Sequence, residues 1–142
     1  MNPTIEKFGY PATLLKEFEH WLVLLRPVQV TLGSLVLAAK SEATAFADLP
    51  RDAFAEQADA VAAIEQALTR FVRYERINYL MLMMVDPNVH FHVIPRYSAP
   101  RDWNGIVFAD AGWPGPPRLD QAVDLDAEQL ALLVTEVSAA FG

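Results

Sequence analysis

Residues 77–96, which read INYLMLMMVDPNVHFHVIPR, decide how the rest of the chain is interpreted. This stretch divides into two apolar runs, Tyr79–Val85 and Val89–Pro95, on either side of a short turn that contains Pro87. Apolar runs of this length around a proline-containing turn are typical of two neighbouring strands. Because the runs carry no charge, we expect both strands to be buried on both faces.

The second of these predicted strands contains two of the three histidines in the chain. The strand period of two places Asn88, His90 and His92 on one face, with the two histidines about 7 Å apart. Three interpretations are open: a metal pair, a nucleophile with an oriented partner, or two structural histidines. A metal site needs a third ligand, and none is obvious nearby, so we predict neither a metal nor a cofactor.

Covalent chemistry at phosphorus is compatible with two histidines on a rigid strand. An imidazole with an ordinary pKa near 6.5 is mostly unprotonated at neutral pH and can attack phosphorus directly. A second imidazole on the same face can donate to a phosphate oxygen as negative charge develops.

The rest of the chain supplies further strands and two helices. Two apolar runs, Trp21–Leu25 and Leu32–Ala39, predict a hairpin, with Gly33 where its turn needs a permissive backbone. A helix of about six turns follows, with a predicted apolar stripe at Phe54, Ala58, Val61, Ile64, Leu68 and Phe71. The order of elements predicts one α+β domain over residues 1–142, with a mostly antiparallel sheet.

Residues 97–125 are rich in proline and glycine and predict a long loop, with a short strand at 105–108. Its tryptophans, Trp103 and Trp113, are candidates for a subunit contact or a substrate lid. Asp126 and Gln129 form a capping-box pattern that begins a C-terminal amphipathic helix over residues 126–141.

Composition narrows the class of protein. With 53% hydrophobic and 20% charged residues, the chain is globular rather than disordered. The net charge of −7 and scattered basic residues disfavour nucleic acid as a partner. No apolar run is long enough for a membrane span, no signal peptide is recognisable, and there is no cysteine, so we expect a cytoplasmic protein.

The run NVHFHVIPR, from Asn88 to Arg96, resembles the signature of the histidine triad (HIT) superfamily. That signature is His-φ-His-φ-His-φ-φ, where φ is apolar, and here Asn88 stands at the first histidine position. The similarity extends over roughly residues 15–97 and includes the hairpin around Arg26-Pro27. The resemblance implies a HIT-like α+β fold and a homodimer.

The resemblance also implies an activity: hydrolysis or transfer at the α-phosphate of a nucleotide-like small molecule. By position, His90 would be the nucleophile that becomes nucleotidylated, and His92 would contact the α-phosphate and the leaving group. Further candidates are Asn88 and Arg96 for substrate or phosphate binding, and His20, Glu42 and Trp113.

The alternative is a catalytically degenerate HIT-fold module that binds or senses nucleotides without turnover. Three departures from the family pattern favour it. Asn88 replaces the first histidine, and the ribose-binding acid of the family aligns with the apolar Leu24. The loop that usually precedes the motif is shortened, since only Asp86-Pro87 fills its place.

Overall fold

The computed structural model describes residues 1–142, which form three helices, nine strands and one 3-10 turn at Phe46–Asp48. The helices are α1 (Pro3–Lys7), α2 (Arg51–Val72) and α3 (Ala127–Ala140). The strands are β1 (Leu14–Glu17), β2 (Trp21–Leu25), β3 (Val28–Gln29), β4 (Leu35–Ala39), β5 (Arg76–Leu80), β6 (His90–Arg96), β7 (Arg101–Trp103), β8 (Ile106–Phe108) and β9 (Val123–Asp124). This confirms the predicted α+β class.

Five strands form one sheet in the order β1-β2-β4-β6-β5, and every neighbouring pair is antiparallel. The predicted antiparallel sheet is therefore confirmed. The motif strand β6 lies inside the sheet, with Ala38 of β4 opposite His90 and Val36 opposite His92. On the other side, Leu80 of β5 is also paired with His92. Strand pairing thus fixes the backbone that carries both histidines.

The two faces of this sheet are covered by different parts of the chain. On one face, α2 packs against β2, and α3 packs against α2 and β1. The main core lies there and includes Val23, Leu25, Leu35, Leu37, Val93, Ile64 and Leu68. On the opposite face, Ile5 and Phe8 cover a smaller cluster made of Leu22, Leu24, Val36 and Ala38. The histidines belong to this second face, because they stand opposite Val36 and Ala38.

Helix α1 was not expected from the sequence. A five-residue helix is not stable alone, so tertiary contacts must hold it. Asn2 supplies several of them: its side chain accepts from the Ile5 amide at 3.0 Å and donates to the carbonyls of Ala39 and Ser41 at 3.0 and 2.9 Å. Pro3 then occupies the first helical position, where its missing N–H costs nothing.

Helix α2 confirms the predicted six-turn helix, but two of the six positions of its predicted apolar stripe, Phe54 and Ala58, are exposed. Ile64 and Leu68 are buried, whereas Phe54 is 40% exposed. The other buried positions are Ala53, Ala60, Ala67 and Val72. Alanines let the helix approach the sheet closely, and the indole of Trp21 donates to the Ala53 carbonyl at 2.7 Å. No helix in the structure is both long enough and apolar enough to cross a membrane.

The first predicted motif strand, Tyr79–Val85, was misplaced. Strand β5 ends at Leu80, and the chain then turns through Met83, whose φ is +50°. Met84 and Val85 are 85% and 83% exposed, so this apolar run lies in a surface loop. The second predicted strand is confirmed, with each end displaced by one residue.

The segment between β6 and α3 contains two small pairings, β7 with β8 and β9 with β3. The expected short strand at 105–108 is confirmed as β8. Trp103 is neither a lid nor an exposed contact, because it is buried and its indole donates to Glu136 of α3 at 3.0 Å. The capping box of Asp126 and Gln129 is confirmed at the start of α3.

Candidate active site

His90 and His92 lie side by side on β6, with ring centroids 5.2 Å apart and ring planes at 79°. The two residues are only 1% and 7% exposed. They nevertheless line a cavity of about 190 Å³, whose other wall is the loop of residues 82–86. The pair is therefore sheltered from bulk water but borders a space that a small group can enter.

The hydrogen bonding of His90 determines which of its ring nitrogens is available. Nδ1 lies 2.7 Å from the backbone carbonyl oxygen of Asn88. A carbonyl oxygen only accepts, so Nδ1 must carry the proton in this bond. In the neutral ring the lone pair is then on Nε2.

His92 is held in the opposite tautomer. Its Nδ1 accepts a long hydrogen bond of 3.4 Å from Nε of Arg26, and because a guanidinium only donates, the ring proton is on Nε2. Burial, which has the largest effect, the nearby Arg26 cation and His90 together lower the pKa of His92 to about 4, against an opposing effect of Asp86. His92 is therefore neutral at neutral pH.

The two imidazoles thus present complementary groups beside one cavity. His90 offers an Nε2 lone pair, which can act as a nucleophile, and His92 offers an Nε2–H, which can donate to an oxygen that gains negative charge. His92 does not need to change its protonation state before a reaction begins.

The buried neutral state of His92 makes stability depend on pH. The pKa of His92 is about 4 in the fold and near 6.5 in the unfolded chain, so the unfolded state binds the proton first as pH falls. We expect this residue alone to lower the free energy of unfolding by roughly 2–3 kcal/mol between pH 6.5 and pH 4, with little further loss below pH 4.

Urea denaturation of the wild type and of His92→Gln at pH 7, 6, 5 and 4 measures this effect, because the variant keeps all other titrating groups. The stability difference between the two proteins should shift in favour of the variant as pH falls. A difference that stays constant with pH would contradict the expectation.

The same arrangement of sheet and helices occurs in solved structures of histidine triad proteins. A histidine triad protein from Marinobacter aquaeolei superposes with a TM-score of 0.74 at 20% identity, over 96% of this chain and 93% of that one. One from Bradyrhizobium japonicum gives 0.70 at 15% identity, over 100% and 97%. The chain has the histidine triad fold.

A third structure with this fold is a hypothetical histidine triad nucleotide-binding protein from Sulfolobus tokodaii, with a TM-score of 0.67 at 20% identity over 97% and 89% of the two chains. At the level of sequence, no family model and no curated protein matches the chain. The fold therefore agrees with the resemblance of residues 88–96 to the histidine triad signature.

Asn88, at the first triad position, does not line the cavity. Its side-chain oxygen accepts from the Thr4 hydroxyl at 2.9 Å, and its amide nitrogen donates to the Glu42 carbonyl at 3.0 Å. Its backbone N–H donates to the same Thr4 hydroxyl at 3.3 Å. These bonds hold the Asn88 carbonyl in place for His90. Glu42 contributes only its backbone, since its side chain is exposed.

Helix α1 closes one side of the triad site. The Phe8 ring lies 5.6 Å from the ring centroids of both His90 and His92. Lys7 forms a 2.7 Å ion pair with Asp86, which joins the helix to the loop on the cavity's other side. Access to the histidines is therefore bordered by the first eight residues of the chain.

Arg96 and Trp113 are not brought to the histidine pair. They line a different cavity, of about 580 Å³, at the far end of β6, where Arg96 is four positions along the strand from His92, about 13 Å away. The buried Arg96 guanidinium donates to Asp110 at 2.6 and 3.0 Å, to Asn78 at 2.7 Å and to the Gly115 carbonyl at 2.9 Å. These bonds tie the proline- and glycine-rich segment to the sheet. A phosphate-binding role for Arg96 stays a prediction.

His20 lies in the turn before β2, where its backbone N–H donates to Glu56 of α2 at 2.6 Å. It is half-buried and does not line the cavity beside His90 and His92. No group of three or more histidine, aspartate or glutamate side chains suited to a metal ion occurs in the structure.

Arg26 is the residue that sequence reasoning missed at this site. From the sequence, Arg26 and Pro27 simply follow the predicted strand Trp21–Leu25. In the structure, the guanidinium of Arg26 lies against His92. One signal was available: an arginine directly follows five consecutive buried apolar residues, so its side chain begins inside the protein.

Proposed function

We propose that the protein is a hydrolase or transferase that acts at the α-phosphate of a nucleotide-like compound, through a covalent intermediate on His90. The observation that carries this proposal is the complementary presentation of an Nε2 lone pair by His90 and an Nε2–H by His92 beside one cavity. The fold and the motif support it, since both belong to the histidine triad class.

In the proposed reaction, Nε2 of His90 attacks phosphorus and forms a phosphorus–nitrogen bond, while the bond to the leaving group breaks and its electron pair departs with that group. His92 donates its Nε2–H to a phosphate oxygen or to the leaving group as negative charge develops. Water or another acceptor then attacks the same phosphorus, which releases the product and returns the lone pair to His90.

Intact-mass spectrometry after mixing with a panel of nucleoside phosphoramidates and other activated nucleotides tests this reaction. We expect the mass to increase by one nucleotidyl group. His20→Ala serves as the matched control, because it removes the histidine that lies outside the cavity and should leave the adduct intact. An adduct that survives in His90→Ala, or that disappears only in His20→Ala, contradicts the assignment.

A binding module without turnover is the second candidate, and one specific observation favours it. The Asn88 side chain is bonded to Thr4 and Glu42 and does not line the cavity beside the histidines, so the first triad position is turned away from a substrate there. Leu24 is likewise buried beneath α1. Nucleotide binding measured by calorimetry, with neither adduct nor turnover on the whole panel, would identify this module.

We also propose that the protein is a homodimer. Strand β5 is at the edge of the sheet, and the loop that follows it exposes Leu82, Met84 and Val85. Edge strands and clustered exposed apolar side chains favour association. Light scattering at tens of micromolar protein should give about twice the chain mass of 15.8 kDa, whereas the monomer mass would contradict the proposal.

A further inference from the structure

Arg26 is fixed at the end of a buried strand. It directly follows β2, all five residues of which are buried. Its backbone N–H donates to the Ser34 carbonyl at 3.0 Å, and its own carbonyl accepts from the Gln29 side chain at 2.6 Å. The starting point and direction of the long side chain are therefore set by the fold.

The charge of Arg26 has no counterion in the protein. Its guanidinium donates from Nη1 to the Val28 carbonyl at 2.6 Å and from Nε to His92 at 3.4 Å, and no carboxylate lies within ion-pair distance. Burial lowers its pKa, so the protein bears a cost for holding the cation there. Of its five N–H donors, three have no protein partner.

Arg96 provides an internal comparison. Its buried guanidinium is matched by Asp110 in an ion pair of 2.6 Å. Buried or half-buried charges are normally paired in this way, because removing an ion from water without compensation is expensive. The fold thus supplies a counterion for Arg96 but none for Arg26.

Arg26 lines a second cavity. The cavity measures about 300 Å³ and is lined by Lys7, Phe8, Arg26, Pro27, Val28 and Leu119. Phe8 borders both this cavity and the two imidazoles, so the cavity is adjacent to the histidine pair. Its walls are mainly apolar, and Lys7 is already paired with Asp86. Arg26 is therefore the cation available to a bound group.

We propose that Arg26 binds a second anionic group of the substrate, such as a carboxylate or a further phosphate, beside the phosphate that reacts with His90. The substrate class is then a phosphate compound with two neighbouring negative groups and an apolar or aromatic portion of a size that suits this cavity. A guanidinium donates hydrogen bonds but cannot accept them. It therefore suits an anion, whose oxygens only accept, better than a sugar hydroxyl, which also has a proton to donate. The reaction of the neighbouring phosphate with His90 rests on the proposed function, whereas anion binding by Arg26 does not.

Titration calorimetry with inorganic pyrophosphate, which carries two neighbouring phosphates, tests the proposal on the full chain. The comparison is made in a His90→Ala background, where no covalent step can occur. Arg26→Gln should weaken pyrophosphate binding by about 10- to 100-fold, because it removes charge-assisted hydrogen bonds. Arg26→Lys should restore a large part of the affinity, since it returns the charge.

Arg51→Gln is the matched control. Arg51 is exposed in the first turn of α2, on the opposite face of the sheet, and its loss lowers the net charge by the same amount. We expect it to leave the affinity unchanged. Equal weakening by Arg51→Gln and Arg26→Gln would reveal a non-specific charge effect and overturn the proposal.

Two other results would also overturn the proposal. The first is unchanged pyrophosphate binding in Arg26→Gln. The second is equal weakening in Arg26→Lys and Arg26→Gln with an equal fall in melting temperature, because this would indicate that Arg26 only contributes to packing. The two proposals fail separately. Pyrophosphate binding that depends on Arg26, without any nucleotide adduct, removes the proposed reaction and keeps the anion site. An adduct on His90 without an Arg26 effect does the reverse.

Discussion

His90→Ala is expected to abolish the covalent adduct and to lower turnover by about three orders of magnitude or more. The variant removes the only lone pair that the site presents for attack, since Nδ1 of His90 is bonded to the Asn88 carbonyl. Single-turnover kinetics with a nucleoside phosphoramidate, together with intact-mass spectrometry, provides the measurement.

The chemical behaviour of the adduct gives an independent check on the same residue. A phosphorus–nitrogen bond to histidine is labile in acid and survives mild alkali, which distinguishes it from a phosphoester on one of the serines. Wild-type turnover in His90→Ala on every substrate that the wild type accepts would show that another group is the nucleophile.

His92→Ala is expected to reduce turnover by about 100- to 1000-fold while the adduct still forms. The variant removes a donor that stabilises developing charge and leaves the attacking atom in place. Since the pKa of His92 is lowered to about 4, its donor stays neutral and protonated at Nε2 throughout the range from pH 5 to pH 8.

Profiles of turnover rate against pH from 5 to 8 test whether His92 stays neutral over that range. Any inflection in the wild-type profile should persist in His92→Ala, because His92 does not titrate there. If the loss in His92→Ala equals the loss in His90→Ala and the adduct also disappears, His92 takes part in the attack itself and the division of roles is wrong.

The elements whose sequence signal is local were predicted well. Strand β2 was placed at Trp21–Leu25 with both ends correct, because a proline directly follows Arg26 and a polar turn precedes Trp21. Helix α2 was recognised from its length and periodicity. Its buried face was recognised only in part, because the buried alanines are indistinguishable by hydropathy from those that face solvent.

The errors share a physical origin, which is that burial depends on distant parts of the chain. The apolar residues 82–85 were assigned to a strand, but no partner strand is available beyond the Leu80–His92 pair. Helix α1 carries little intrinsic helical preference and depends on contacts with β4 and with Asn88, just before β6. In the site, the positions of His90 and His92 followed from the strand period, whereas the partner of Arg26 depended on how β2 and β6 come together.

The N-terminal contacts have a consequence for the order in which the protein folds. Thr4 and Asn88 are separated by 84 residues, yet they exchange two hydrogen bonds and cover one face of the sheet. During synthesis, Ile5 and Phe8 leave the ribosome long before β6 exists, and closing so long a loop is entropically unfavourable. Residues 4–8 are thus expected to be among the last to dock, after the motif strand is in place.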